Sequence, residues 1–128
     1  MDYYFSKSLN VSFDKAVDEV TEELGKEGFG ILAEIDVKDT LKKKIGVDFK
    51  KYKILGACNP HFAYRALQVE DKIGLMMPFN VIVQEISEKN IEVAAVDPVA
   101  SILAIANPEV QDNAKQLRIK LQTVIDNL

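Results

Sequence analysis

Residues 80–96 read NVIVQEISEKNIEVAAV, and this stretch determines the class of the fold. Asn80–Ile86 and Ile91–Val96 are two short segments rich in Val and Ile, a composition that indicates two β-strands. The polar residues between them, Ser87–Asn90, are typical of a short hairpin loop. Because strands joined by a hairpin are antiparallel neighbours, the sheet of this protein is predicted to be at least partly antiparallel.

Further strands and helices are predicted on both sides of this hairpin. Strand patterns occupy residues 3–9, 29–35 and 52–58. Asn or Asp caps the free N–H groups of a helix, and Pro at the first helical position has no N–H to lose, so Asn-Pro and Asp-Pro pairs indicate helix starts. Three such pairs occur in the chain: Asn59-Pro60, Asp97-Pro98 and Asn107-Pro108.

The two longest helices each have one apolar stripe. The first follows Ser12 as its cap and is predicted to end at Gly25, and a short helix is predicted from Val37 to Lys44. The stripe of the last helix consists of Val110, Ala114, Leu117, Leu121, Val124 and Leu128. The sequence therefore predicts an α+β fold, a two-layer α/β sandwich with a mostly antiparallel five-stranded sheet and two long helices on one face. Short helices, loops or a partner subunit would cover the other face.

Length, charge and cysteine content narrow the class of protein. The 128 residues fit one domain, predicted over residues 1–128. A net charge of −4 and the absence of Trp argue against a nucleic-acid partner, which would need a basic surface. The single cysteine excludes an internal disulfide, and neither a signal peptide nor a long apolar stretch is found, so we expect a cytoplasmic protein without a membrane partner. The Gly-rich nucleotide motifs are missing, and no cofactor is expected.

The junction between the third strand and the helix after it contains the best candidates for chemistry. Cys58 ends the strand, and Asn59 caps a helix whose free N–H groups and positive dipole favour a thiolate. Cys58 is therefore a candidate nucleophile with a lowered pKa, although a lone cysteine is commonly a small buried apolar residue. His61, the only histidine, is a candidate base for that thiol, and its alternative interpretation is an ordinary surface residue.

Four further residues are candidates for ligand binding. Asn59 lies at the same helix start, and Arg65 in that helix either clamps an anionic group or faces solvent. Glu34 and Asp36 are predicted to lie side by side on the strand face opposite Ile31, where paired carboxylates can do acid–base work or hold a cation. For Asp36 we prefer the interpretation that it caps the next helix. The chain lacks the Cys and His spacings of a zinc site, so no metal is expected.

Several segments of the chain resemble, in the same order, those of the domain-of-unknown-function family 302. They are residues 30–37 (GILAEIDV), 52–60 (YKILGACNP), 63–67 (AYRAL), 74–81 (GLMMPFNV) and 95–98 (AVDP). The resemblance covers nearly the whole chain. It implies a small prokaryotic protein, a homodimer, and a two-layer α/β sandwich similar in topology to one half of a TATA-binding protein. It implies no reaction, because function depends on sites rather than on folds.

Three functions remain open on the sequence. The first is a homodimeric binding module that holds a small or anionic ligand at residues 58–61, using the N–H groups of the helix start. The alternative is a thiol-based enzyme or sulfur carrier with Cys58 as nucleophile and His61 as base. The third is an interaction protein whose free sheet face pairs with another subunit. We favour the first, because the sequence identifies no group that would orient His61.

Overall fold

The computed structural model describes residues 2–128, and its centre is one sheet of five strands in the order β1-β5-β4-β3-β2. The strands are β1 Tyr4–Leu9, β2 Gly30–Asp36, β3 Tyr52–Cys58, β4 Phe79–Ser87 and β5 Asn90–Val96. The helices are α1 Phe13–Lys26, α2 Val37–Ile45, α3 Pro60–Val69, α4 Pro98–Ser101 and α5 Pro108–Asp126, with a 3-10 turn over Ile73–Met76. Every neighbouring pair of strands is antiparallel, which confirms the predicted α+β fold.

The hairpin between β4 and β5 is tighter than its sequence indicates. Ser87 pairs with Asn90, so the loop consists of Glu88 and Lys89 alone, and Lys89 adopts a φ of 55°. The predicted four-residue loop is therefore wrong, because its two outer residues belong to the strands. A two-residue loop joins the strands directly, and the register then shifts once between Ser87 and Glu85, where Glu85 pairs with Ile91.

The predicted helix starts are confirmed by their caps. The side chains of Asn59, Asp97 and Asn107 each accept a hydrogen bond from a backbone N–H in the first turn of α3, α4 and α5. Ser12 does the same for α1. Since these caps depend only on residues close in sequence, the local pattern was enough to find them.

The end of α1 differs from its prediction. The helix continues through Gly25 to Lys26, and the glycine that ends it is Gly28, with a φ of 85°. The N–H of Phe29 donates to the carbonyl of Leu24 at 2.9 Å, and that of Gly28 donates to Gly25 at 3.2 Å. These bonds form a Schellman motif, which needs the left-handed conformation that glycine adopts without strain.

Helices α1 and α5 pack on the same face of the sheet and enclose the core. Alternate residues of the central strands, such as Leu55, Val81 and Val93, point into this layer and are fully buried. Burial of each such side chain stabilises the fold by roughly 1.5–3 kcal/mol. We call the opposite face of the sheet, which α1 and α5 leave uncovered, the open face. Its residues include Tyr4, Ile35, Tyr52, Ile54, Asn80, Ile82, Gln84, Glu92, Ala94 and Val96.

Strand β2 contains a bulge that the sequence pattern does not reveal. Ile31 pairs with Ala57, but Ala33 pairs with the adjacent residue Gly56, so the register shifts at Leu32. A shift of one residue moves every later side chain to the other face of the sheet. The alternation of apolar residues along β2 therefore does not correspond to one face.

The bulge corrects the prediction for the carboxylates of β2. Glu34 pairs with the buried Leu55, and Asp36 pairs with Lys53, so both carboxylates lie on the helix-covered face, as Ile31 does. They do share one face, as expected, but the expected opposition to Ile31 is wrong.

Candidate functional site

The predicted junction site begins where β3 ends at Cys58. The side-chain oxygen of Asn59 accepts a hydrogen bond from the N–H of Phe62 at 3.2 Å, and the backbone carbonyl of Asn59 accepts one from the N–H of Ala63 at 2.9 Å. Pro60 has no N–H, so the amide of His61 is the one left for a ligand at the start of α3. The helix start is therefore a weaker anion site than the sequence indicates.

The thiol of Cys58 is less acidic than the sequence suggests. Cys58 is partly buried, and this burial raises the pKa of the thiol above its ordinary value. This direction is opposite to the lowered pKa expected from the helix start, and desolvation of the thiolate is its cause. His61 is exposed, and among residues 2–128 no hydrogen bond joins it to Cys58. The structure does not assemble the predicted pair of thiol and base.

The other predicted ligand residues are dispersed. Glu34 forms an ion pair of 2.7 Å with Lys53, and this contact raises the pKa of that lysine. Asp36 accepts from the N–H of Asp39 at 2.9 Å, which confirms its role as a helix cap. Counted along β3 at about 3.3 Å per residue, the strand partner of Glu34 lies about 10 Å from Cys58 and that of Asp36 about 16 Å. Arg65 is exposed on α3. These residues do not form one site.

An open cleft lies elsewhere, on the open face of the sheet. It has a volume of about 460 Å³, within the range of small-molecule sites. Its floor is apolar and consists of Ile82, Ala94 and Val96. Aromatic and polar side chains surround this floor: Tyr3, Tyr4, Tyr52, Asn80, Gln84 and Glu92.

Strand register brings the cleft together from four separate strands. Tyr4 on β1 pairs with Val96 on β5, and Gln84 on β4 pairs both with Glu92 on β5 and with Tyr52 on β3. Paired residues of an antiparallel sheet share a face, so these side chains all stand on the open face. The ladder continues one step beyond β1, since the N–H of Asp97 donates to the carbonyl of Tyr3 at 2.7 Å.

The tyrosines form an aromatic wall. The rings of Tyr3 and Tyr4 meet edge to face, with centroids 5.0 Å apart and an interplanar angle of 72°. Burial raises the pKa of Tyr52, and the nearby Glu92 carboxylate and Tyr3 phenol raise it further. Tyr52 therefore stays a neutral hydrogen-bonding group at physiological pH.

Glu92 is the acidic group of the cleft. It is partly buried, and one oxygen of its carboxylate accepts a hydrogen bond of 2.7 Å from the side-chain amide of Gln84. Within residues 2–128 it has no ion-pair partner. A carboxylate offers about four acceptor positions, so most of them are still free toward the cleft.

A proline separates this cleft from Cys58. Pro78 lies against the open face at Gly56, where an added Cβ would be 2.7 Å from the Cγ of the proline ring. Along β3 the order is Tyr52 at the cleft, then Gly56 under the proline, then Cys58. The cysteine and the cleft are thus on the same face but on opposite sides of Pro78.

Metal ligation is not indicated by the geometry of the described residues. Residues 2–128 contain no group of three or more His, Cys, Asp or Glu side chains placed to hold an ion.

None of the helices in residues 2–128 has the length and the apolar character needed to cross a bilayer.

Sequence reasoning missed the cleft residues. The available signal was the even spacing of Asn80 and Gln84 along β4 and the single acidic residue Glu92 inside the apolar β5, which puts these polar groups on the face away from the core. Tyr3, Tyr4 and Tyr52 join them only through pairing between distant strands. No local pattern identifies that pairing.

The fold and the open-faced sheet define the class of protein, a small α+β sandwich. The family described as "Domain of unknown function DUF302" matches residues 5–128, and the chain belongs to this family. The chain is also similar to a crystal structure described as an uncharacterized conserved protein DUF302 from Bacillus stearothermophilus. The TM-score is 0.88 and the identity 23%, with 98% of each chain covered. At that identity the likeness supports the fold alone. Among curated proteins none gives a significant match.

Proposed function

We propose that this chain is a small-ligand-binding module whose site is the cleft on the open face of the sheet. One observation supports the proposal above all: a cleft of about 460 Å³ combines an apolar floor with six aromatic or polar side chains on its walls. Such a combination of apolar surface with a few convergent polar groups is typical of ligand sites. The site is thus proposed away from the junction at Cys58.

Binding is favoured over catalysis by the chemistry of the cleft. Glu92 is the one charged residue among the described residues that line the cleft, with no His, Lys or second carboxylate beside it, and the raised pKa of Tyr52 makes that phenol a poor proton donor at neutral pH. General acid–base chemistry needs such a partner within hydrogen-bonding distance. The alternative of a thiol enzyme or sulfur carrier is disfavoured, because burial raises the pKa of Cys58 and no base contacts its thiol.

The proposal keeps the homodimer and the cytoplasmic location as predictions. Apolar side chains on the open face continue beyond the cleft, among them Ile35, which is 47% exposed. A second copy of the chain that covered these residues would also border the cleft. Light scattering after size-exclusion chromatography tests the dimer.

Two further expectations from the sequence also stay predictions. They are the single domain over residues 1–128 and the anionic ligand at residues 58–61.

The cleft is tested by blocking it with a larger side chain. Ala94 lies on its floor, so Ala94→Leu would place three extra carbons inside. Ala33→Leu is the matched control, because Ala33 pairs with Gly56 on the same face but does not line the cleft. Each variant is screened with a library of small fragments by two-dimensional amide NMR.

We expect fragments to shift the amides of Gln84, Glu92 and Ala94 in the wild type and in Ala33→Leu. Ala94→Leu should lose these shifts while keeping a folded spectrum. Fragment shifts that cluster at residues 58–62, or that persist in Ala94→Leu, would contradict the proposed site.

A further inference from the structure

We infer that the ligand of this cleft is a small organic cation, an alkyl-substituted ammonium ion held by Glu92 and by the rings of Tyr3, Tyr4 and Tyr52. The inference rests on the proposed function, since it names the class of ligand for the same site. It reverses the sign of the charge expected from the sequence.

The charge of the cleft favours a cationic ligand. Of the described residues that line it, Glu92 is charged and none is Lys, Arg or His. An anion would meet the uncompensated Glu92 carboxylate at close range, and like charges at that distance repel. A neutral ligand can donate hydrogen bonds to this carboxylate but leaves its charge uncompensated. An alkylammonium ion neutralises the charge, and its N–H or hydroxyl groups donate to the free acceptor positions.

The aromatic wall of the cleft also favours a cation. Cations bind over the faces of tyrosine rings at up to about 6 Å from the centroid, and quaternary ammonium ions are recognised in this way. Three of the four tyrosines of the chain line this single cleft. Tyr3 is 67% exposed and Tyr4 is 40% exposed, so their rings are available to a ligand.

The floor of the cleft decides between an organic and an inorganic cation. Ca²⁺ takes about six to eight oxygen ligands and Mg²⁺ stays largely hydrated, so neither gains from an apolar floor beside a single carboxylate. Ile82, Ala94 and Val96 instead offer an apolar surface that suits alkyl groups. The site therefore fits a cation that is partly hydrocarbon.

Tyrosine fluorescence gives a direct readout, because the chain contains no Trp and four Tyr. Tyr64 is the tyrosine outside the cleft, exposed on α3, so Tyr64→Phe leaves only cleft reporters. This protein is titrated with choline and with 3,3-dimethylbutan-1-ol, which has nearly the same shape without the charge. Hexylammonium and hexan-1-ol form a second pair.

We expect saturable binding of an ammonium probe. The alcohol of matching shape should bind at least about tenfold more weakly, a difference that corresponds to one favourable charge contact. Glu92→Gln should weaken the ammonium probe by about the same factor and leave the alcohol unchanged. Glu85→Gln makes the same change in net charge on the helix-covered face and should have no effect.

Two outcomes would overturn the inference, and they differ in what they mean for the proposed function. If alcohol and ammonium probes bind equally, the cleft is a ligand site but not a cation site. If no ammonium probe binds, the cation inference fails, and the fragment screen with Ala94→Leu decides separately whether the cleft binds anything.

Discussion

The side-chain amide of Gln84 on β4 donates a hydrogen bond of 2.7 Å to the carboxylate of Glu92 on β5. The two residues are also direct partners in the sheet, so their backbones hold the side chains side by side. The contact restrains the one carboxylate that lines the cleft. The acidic group of the site is therefore held by a cross-strand partner that also lines the cleft.

This pair should be energetically coupled. We expect Gln84→Ala and Glu92→Ala, combined in a double-mutant cycle, to give a coupling free energy of about 1 kcal/mol, the size of a partly exposed hydrogen bond to a charged group. Urea denaturation of the four proteins measures it. If the two substitutions add within about 0.3 kcal/mol, the hydrogen bond does not stabilise the folded state in solution.

Gly56 should not tolerate a side chain. A Cβ at this position would lie 2.7 Å from the ring of Pro78, so Gly56→Ala is expected to destabilise the protein by about 1–3 kcal/mol through overpacking. Gly25→Ala is the matched control, because a Cβ there meets nothing within 4 Å and alanine favours the helix. Thermal denaturation compares the two, and equal effects would show that Pro78 does not press on Gly56.

The buried Asp97 should depend on Arg118. Asp97 is 1% exposed, and its Oδ2 has the guanidinium of Arg118 at 3.2 Å as ion-pair partner but makes no hydrogen bond. Arg118→Met would leave this carboxylate without its counter-charge, and we expect a loss of roughly 1.5–3 kcal/mol in the free energy of unfolding. Arg118→Lys keeps the charge and should lose less. Equal losses in both variants would assign the effect to packing against Phe5 instead.

The thiol of Cys58 should titrate at higher pH in the folded protein than in the unfolded chain. Burial raises its pKa, so the thiolate fraction at neutral pH falls and alkylation slows. The same shift stabilises the fold below the unfolded pKa, and that contribution is lost as pH rises through the folded pKa. Iodoacetamide alkylation rates against pH, with and without urea, measure the inflection. An inflection at lower pH in the folded protein would restore the hypothesis of a reactive thiol.

The sequence predicted those parts of the fold that depend on neighbours along the chain. The caps Asn59, Asp97 and Asn107 and the hairpin after β4 are local, and each is confirmed. The bulge at Leu32 was missed because pairing with β3 determines it.

The candidate site was harder to predict for the same physical reason. The sequence places Cys58 at a strand-to-helix junction, but its pKa follows from the degree of burial, which the sequence pattern does not show. The cleft requires Tyr4, Tyr52 and Glu92 to stand together, and this depends on the register of four strands. Without that register the tyrosines and the carboxylate are unrelated positions in the sequence.

The most direct measurement is the retention of a small molecule by the cleft. The wild type, Ala94→Leu and Ala33→Leu are each incubated with a protein-free extract of small metabolites, separated by rapid gel filtration, and analysed by mass spectrometry after denaturation. We expect the wild type and Ala33→Leu to retain the same amine-containing compound and Ala94→Leu to lose it. Retention by Ala94→Leu at the wild-type level, or no compound retained by the wild type, would contradict a ligand site on the open face.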